Sequence, residues 1–461
     1  METIHLIGVG GSGMLPLAEL LLRKGFHVTG SDRLLKNPTE LDHLPAPIRK
    51  RLRRLTSLGA HLFAQDGTGI TEQTKKIVIS TAIEEDNPDL RKADAFHIPI
   101  SHRAEELHRQ IGDQRLLAIA GVSGKSTTAA LCAWLLLKLN ALNCFVGGAE
   151  ILDDAQTGIG WTAVHVAHGE WSCVELDESD KSLLRFQPEI AILLNISRDH
   201  HEYEENLAIF KQFSAGVQKT ILLNRDDPGC RQLSEELGRD PRVKWFTPPA
   251  PADVMQTENG VRFRFNEINM FTPLLGYHNA VNLTAALSII NEAAPHANGR
   301  TLANAAASFP GVRRRLQRYG KGNIAVYDDY AHNPEKIAAL LTTLQQHYLR
   351  VFLIFQPHGY APLKFHLPGF AEVFSTRLRK QDHLLLLPIY DAGGTTNRSI
   401  SSQDLADHIS FSSIQTVRDR REAIAYLRDA VRVKDAVCVV GARDDTLAEF
   451  AEQISICIGF D

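Results

Sequence analysis

The sequence predicts an α/β protein of three domains, each built on a largely parallel sheet, and three observations predict it. The chain has 461 residues and is 44% hydrophobic, too long for a single core. Short apolar runs alternate with helical patterns in three blocks, separated by a polar break at Gly112-Asp113 and a turn at Phe309-Pro310-Gly311. Two glycine-rich turns, Gly8–Gly13 and Gly121–Gly124, each stand between an apolar run and a helical pattern.

In the first block, Ile4–Val9 reads as a strand, Met14–Lys24 as an amphipathic helix, and Phe26–Ser31 and Ile77–Ser80 as further strands. In the second, Leu116–Ile119 feeds the turn at Gly121. Val174–Asp177 ends a strand, Ile190–Asn195 is a buried one, Thr220–Leu223 a third, and Asn279–Ala294 a helix. The polar stretch Pro248–Met270 reads as a small β-insert. In the third block, strands are expected at Ile324–Tyr327, Val351–Phe355, His383–Pro388 and Ala436–Val440. The domains expected are therefore 1–111, 112–310 and 311–461.

Charge is nearly balanced, with 50 basic and 54 acidic residues, which argues against a nucleic-acid wrapper or a membrane-surface protein. The one strong basic cluster, Arg49–Arg54, reads as a solvated helix face. Six scattered cysteines without a Cys-x-x-Cys pair suggest buried thiols in a reducing compartment. With no leader-like start and no apolar run of membrane-spanning length, a soluble cytoplasmic protein is expected.

The turn Gly121-Val-Ser123-Gly124-Lys125-Ser126-Thr127 carries the strongest chemical signal. A glycine turn opening a helix aims backbone N–H groups at phosphates; a lysine there reaches the terminal phosphates and a hydroxyl can hold Mg²⁺. The full phosphate-loop pattern would have glycine where Ile119 stands. Gly8-x-Gly10-Gly11-Ser12-Gly13, followed by Asp32 at the end of the next strand, is a dinucleotide-type fingerprint. A pyrophosphate and ribose satisfy it equally well in a dinucleotide or a nucleotide-sugar. Glu175-Leu-Asp177-Glu178-Ser-Asp180 and Asn195-Ile-Ser-Arg-Asp199-His200 close neighbouring strands, where ligands of an open parallel sheet sit. Carboxylate and hydroxyl donors suit a hard cation, with one imidazole an unusual addition. In the third block Asp328-Asp329-Tyr330-Ala-His332-Asn-Pro, Phe355-Gln-Pro-His358-Gly359-Tyr360, Tyr390–Gly394 and Gly441–Asp445 all follow strands and form a polar rim.

Taken in order, and with Ser80–Pro88, Gly276–Asn279 and Phe309–Arg315, these motifs resemble the Mur ligases over nearly the whole chain. The resemblance implies an N-terminal UDP-binding domain, a central P-loop ATPase-type domain and a C-terminal amino-acid-binding domain. It implies an ATP- and Mg²⁺-dependent ligase joining the carboxylate of a UDP-N-acetylmuramate-type nucleotide sugar to an amino acid, L-alanine being favoured, in a monomer or homodimer. By that resemblance Lys125, Glu175 and His200 are catalytic, and Ser126, Thr127, Glu175 and His200 hold the metal. Gly121, Ser123, Gly124, Lys125, Ser126, Thr127, His278, Asn279, Arg315 and Asp329 would hold ATP. Gly10, Gly11, Ser12, Gly13, Asp32 and Ser80 would hold the UDP-sugar, and Tyr330, His332, His358 and Lys364 the amino acid.

The chain departs from the family pattern in three places: Ser123 stands where a histidine is usual, Ala331-His332-Asn333-Pro334 replaces Gly-His-His-Pro, and the third is the most telling chemically. The family's Phe-Gln-Pro-His-Arg-Tyr-x-Arg is here Phe355-Gln-Pro-His-Gly359-Tyr-Ala-Pro362, so both arginines are missing. Guanidinium is the natural bidentate partner of a carboxylate, and Lys364 is a point charge by comparison. Alternatives are a muropeptide-type ligase or a paralogue using another amine. From other classes come an NAD-dependent dehydrogenase, which leaves the turn at Lys125 unexplained, and a non-catalytic nucleotide-binding partner.

Overall fold

The computed structural model describes residues 2–11, 13–36, 41–112, 114–152, 162–198, 201–320, 322–391 and 397–458. It forms two compact units, one of residues 1–250, 264–272 and 281–310, the other of residues 251–263, 273–280 and 311–461. The first unit carries two sheets and the second carries one six-stranded sheet.

The first sheet comprises β1 (Thr3–Ile7), β2 (His27–Asp32), β3 (His61–Ala64), β4 (Thr74–Ile79) and β5 (Ile100–His102), in the order β3-β2-β1-β4-β5. Every pairing in it is parallel, the doubly wound arrangement expected from the strand–helix alternation. β1 stops at Ile7 rather than Val9, because Gly8 takes φ +77° and turns the chain toward the helix Met14–Arg23. The basic cluster does lie on a helix, Ala46–Ser57, but it is not simply a solvated face. Arg54 and Arg23 both pair with Glu19, which is fully buried, at 3.0 and 2.8 Å.

His5 on β1 is wholly buried, with Nδ1 2.8 Å from Thr29 Oγ1 and Nε2 3.2 Å from Ser31 Oγ. Burial pushes its pKa down from 6.5 to about 4. The unfolded chain therefore takes up this proton below its own pKa, whereas the folded chain resists until about pH 4. Stability is expected to fall by about 3 kcal/mol as pH drops across that window. Asp89, whose carboxyl is raised by burial, slopes the other way; its Oδ2 lies 3.9 Å from His5 Nε2 and accepts from the same Ser31 hydroxyl, so the difference between wild type and His5→Gln reads His5 together with its coupling to Asp89. Urea unfolding at several pH values should show a flatter acid limb for the variant; identical slopes would refute the assignment.

The second sheet comprises β6 (Arg115–Ala120), β7 (Leu142–Val146), β8 (Val164–Val166), β9 (Trp171–Glu175), β10 (Ile190–Leu193), β11 (Thr220–Asn224) and β12 (Val243–Phe246). Their order is β12-β11-β10-β6-β9-β7-β8, with β8 alone antiparallel. β6 runs Leu-Leu-Ala-Ile-Ala without a break and is buried on both faces, as a central parallel strand must be. Its register pairs Leu193 with Ala120 and Ile119 with Glu175, so three strands end level around the glycine turn.

The expected β-insert carries β13 (Met255–Thr257), β14 (Gly260–Phe265) and β15 (Ile268–Thr272), with β13 and β14 pairing as a hairpin. The last sheet comprises β16 (Gln317–Tyr319), β17 (Ala325–Asp329), β18 (Val351–Phe355), β19 (His383–Leu386), β20 (Ile414–Thr416) and β21 (Ala436–Val440). The order β16-β17-β21-β18-β19-β20 brings the last strand of the chain between β17 and β18. Among the described residues, no helix is long and apolar enough to cross a membrane.

Candidate functional site

The glycine turn after β6 is held by side chains from neighbouring strand ends. Asn195, just past β10, accepts the Val122 and Ser123 N–H groups at 3.0 and 2.8 Å, and its amide nitrogen donates to the Ser123 carbonyl at 2.9 Å. That leaves the turn little freedom to rearrange. Gly124 has φ +85°, and a Cβ there would stand 2.6 Å from Asn282 Oδ1. Only glycine meets both conditions, so the helix Lys125–Lys138 begins where its N–H groups open to the strand ends.

Lys125 leads that helix and is 9% exposed. Its Nζ lies 2.6 Å from Glu178 Oε2 and 4.0 Å from Asp177 Oδ2. Burial works against its charge, but Asp177, Glu178 and Glu175 outweigh it, and the ammonium pKa is raised. The other Glu178 oxygen, Oε1, is buried with no hydrogen-bond partner. Ser126 Oγ donates to Glu175 Oε1 at 2.9 Å, while Glu175 Oε2 accepts the Gly148 N–H at 2.6 Å. Thr127 is buried in the same first turn. His200 and its neighbour Asp199 lie outside the described residues. Among the described residues, no group of three or more His, Cys, Asp and Glu is gathered as a metal centre. The hydroxyl and carboxylate of Ser126 and Glu175, beside the orphaned Glu178 oxygen, are nevertheless the hard donors a small divalent cation takes.

In the first sheet, the Gly10 N–H donates to Asp32 Oδ2 at 2.9 Å, and Asp32 Oδ1 accepts the Leu34 N–H at 3.0 Å. Asp32 thus braces the turn that carries Gly10 and Gly11. Gly13 caps the helix Met14–Arg23, with the Arg103 side chain against it. Ser80 follows β4, and its carbonyl accepts the Ile83 N–H. Ser12 lies outside the described residues.

In the second unit, Asp329 at the end of β17 accepts the Leu316 N–H at 2.7 Å and the Ala331 N–H at 2.8 Å. Beside it, Asp328 is fully buried against Arg314, whose Nε is 3.2 Å away and whose Nη2 donates to the Gly441 carbonyl at 2.6 Å. Burial pushes the Asp328 carboxyl up to about 6, with Arg314 opposing it. The guanidinium groups of Arg314 and Arg315 lie 5.0 and 5.2 Å from the Tyr330 ring centre. The rings of Tyr330, His332 and His358 meet edge to face in sequence. Lys364 is exposed on the helix Tyr360–Arg377. Asn279 donates to the Leu275 carbonyl at 2.8 Å and lies 3.2 Å from His278 Nε2. Burial lowers the His278 pKa, with Asp329 pulling against it.

Three family models match in the order of the sheets. The one described as Mur ligase family, catalytic domain, matches residues 3–41 and 46–115; the Mur ligase middle domain matches 119–290, and the Mur ligase glutamate ligase domain 314–443. The chain belongs to the Mur ligase family. This Mur ligase is 32% identical to UDP-N-acetylmuramate–L-alanine ligase of Rubrobacter xylanophilus, covering 96% of this chain and 97% of that protein. It is 31% identical to the enzyme of the same name from Desulfosudis oleivorans, over 96% and 95% of the two chains. Its fold matches the solved UDP-N-acetylmuramate-alanine ligase of Thermotoga maritima with a TM-score of 0.76 at 21% identity, covering 99% of each chain. A murein peptide ligase of Psychrobacter arcticus matches with a TM-score of 0.67 at 18% identity, over 100% and 99% of the chains.

Sequence reasoning assigned no role to Glu178, Asn195, Asn282 or Arg314. Glu178 and Asn195 stood inside motifs already singled out. Asn282 sits within the helix Tyr277–Ala293, where no local pattern marks it.

Proposed function

We propose that this Mur ligase is an ATP-dependent enzyme of peptidoglycan precursor synthesis. It joins the carboxylate of a UDP-N-acetylmuramate-type nucleotide sugar to an amino acid, L-alanine being favoured. The observation that carries the reading is Lys125, buried at a helix mouth with Ser126 and Glu175 paired beside it. The names of the relatives support the substrate classes. In this reading residues 1–111 hold the UDP moiety through Gly10, Gly11, Gly13 and Ser80, on a turn braced by Asp32. Residues 112–310 hold ATP, and 311–461 receive the amino acid near Tyr330, His332 and His358.

A carboxylate is a poor electrophile, so its oxygen first takes the γ-phosphoryl group of ATP to give an acyl phosphate. That transfer needs positioning and charge neutralisation. Lys125 swings from Glu178 to the phosphates, while the turn's N–H groups, kept in place by Asn195, orient them. Mg²⁺ held by Ser126 and Glu175 would neutralise phosphate charge when bound. The neutral amine then attacks the acyl carbon, and inorganic phosphate leaves from the tetrahedral intermediate. His278, Asn279, Arg315 and Asp329 are assigned to the nucleotide on the family resemblance.

Phosphate release from ATP, measured with UDP-N-acetylmuramate and a panel of amino acids, tests the reading. Release is expected only with all three substrates and fastest with L-alanine. No release with any combination would make the chain a binding module. Tight NADH binding that UDP does not compete would favour the dehydrogenase alternative.

A further inference from the structure

The order β17-β21-β18 sets three loops side by side at the carboxyl ends of parallel strands: 330–333 after β17, 441–445 after β21 and 356–359 after β18. Tyr330, His332 and His358 come from the outer two, with ring centres 5.5 Å apart for the first pair and 5.0 Å for the second. The middle loop contributes Arg443. Its neighbours hold that loop in place: Asp444 accepts from Arg420 at 2.7 Å, and the Gly441 carbonyl from Arg314 at 2.6 Å.

Arg443 is different. It is exposed, and it makes no hydrogen bond or ion pair among the described residues. Its backbone has φ +63°, a left-handed conformation that disfavours any side chain bearing a Cβ. Its Nη1 stands 3.5 Å from where a Cβ on Gly359 would be. Gly359 itself has φ +152°, so that position has given up its side chain and the neighbouring loop's guanidinium lies over it. A cation held in left-handed backbone, with no anionic partner among the described residues, against the bare backbone of Gly359 beside an imidazole pair is arranged for an external anion.

We propose that Arg443 binds the carboxylate of the incoming amino acid, in the space that Gly359 leaves open. The assignment rests on the amino-acid-ligase reading above and adds to it a specificity-determining residue. Guanidinium presents paired N–H donors that match a carboxylate, which the exposed ammonium of Lys364 does not. The rings of Tyr330, His332 and His358 then bound the side-chain end of a small amino acid.

The test is initial-rate phosphate release with each substrate varied in turn, for wild type, Arg443→Gly and Arg443→Lys. Arg443→Gly is expected to raise KM for L-alanine about 10- to 100-fold, with KM for ATP and for the nucleotide sugar changed by less than about twofold. Its thermal midpoint should rise, since glycine relieves the left-handed backbone. Arg443→Lys, which keeps the charge and loses the fork, should fall between. An unchanged KM for L-alanine in Arg443→Gly overturns the proposal, as does a lowered midpoint with all three KM values rising together, the mark of a merely structural arginine. Wild-type enzyme that releases phosphate with no dependence on any amino acid would instead overturn the ligase reading beneath it.

Discussion

Lys125→Ala is expected to lower ATP-dependent phosphate release by about a thousandfold or more, while binding of the nucleotide sugar stays nearly unchanged. Removing the ammonium deletes the cation that would meet the terminal phosphates. It also leaves Glu178, fully buried and with Oε1 already unpartnered, without the group 2.6 Å from its other oxygen. An uncompensated buried carboxylate repels an arriving triphosphate, so both effects act in one direction. Lys125→Gln, which can still donate to Glu178, separates them: it should recover stability without recovering turnover. Rates come from phosphate release, and nucleotide-sugar affinity from calorimetric titration. Equal loss of both in Lys125→Ala would show that the nucleotide sugar and the triphosphate do not occupy separate sites.

Arg314→Met should destabilise the second unit by about 3–5 kcal/mol, because Asp328 would remain fully buried without its cation. The same guanidinium donates to the Gly441 carbonyl, so the loop after β21 loses an anchor as well. The carboxyl, already pushed up to about 6 by burial, would climb further once Arg314 no longer opposes that shift. Arg314→Met with Asp328→Leu removes both charges and should regain most of the loss. Urea unfolding followed by circular dichroism reads both variants. A single variant within about 1 kcal/mol of wild type would mean that the ion pair does not hold this unit together.

The fold class and the central strands were legible because periodicity and strand-ending motifs agree there, whereas short or edge strands such as β3, β8, β16 and β20 carry too few apolar residues to stand out. Val351–Phe355 and Ala436–Val440 begin and end where their apolar runs do, since both are central strands buried on two faces. β1 ended early because a glycine turn, not hydrophobicity, sets its boundary. The glycine turn of the candidate site was legible as local structure for the same reason: Gly124, Lys125 and Ser126 are consecutive, and their spacing marks the turn that opens the helix Lys125–Lys138. Asn195 and Glu178 were visible only as members of polar clusters, because what each one touches depends on strand register. Arg443 was visible only as a member of the strand-ending motif Gly441–Asp445, and Asn282 not at all, since it reaches the glycine turn from a helix far away in sequence and a lone asparagine has no pattern.

Five of the six cysteines are buried, and only Cys457, on the helix Leu447–Ile458, is partly open. Burial raises the thiols of Cys144, Cys173, Cys230 and Cys438, which keeps them protonated and out of reach of alkylating reagents. The native chain therefore carries a single partly exposed thiol, Cys457, ready for a thiol-directed fluorophore or spin label.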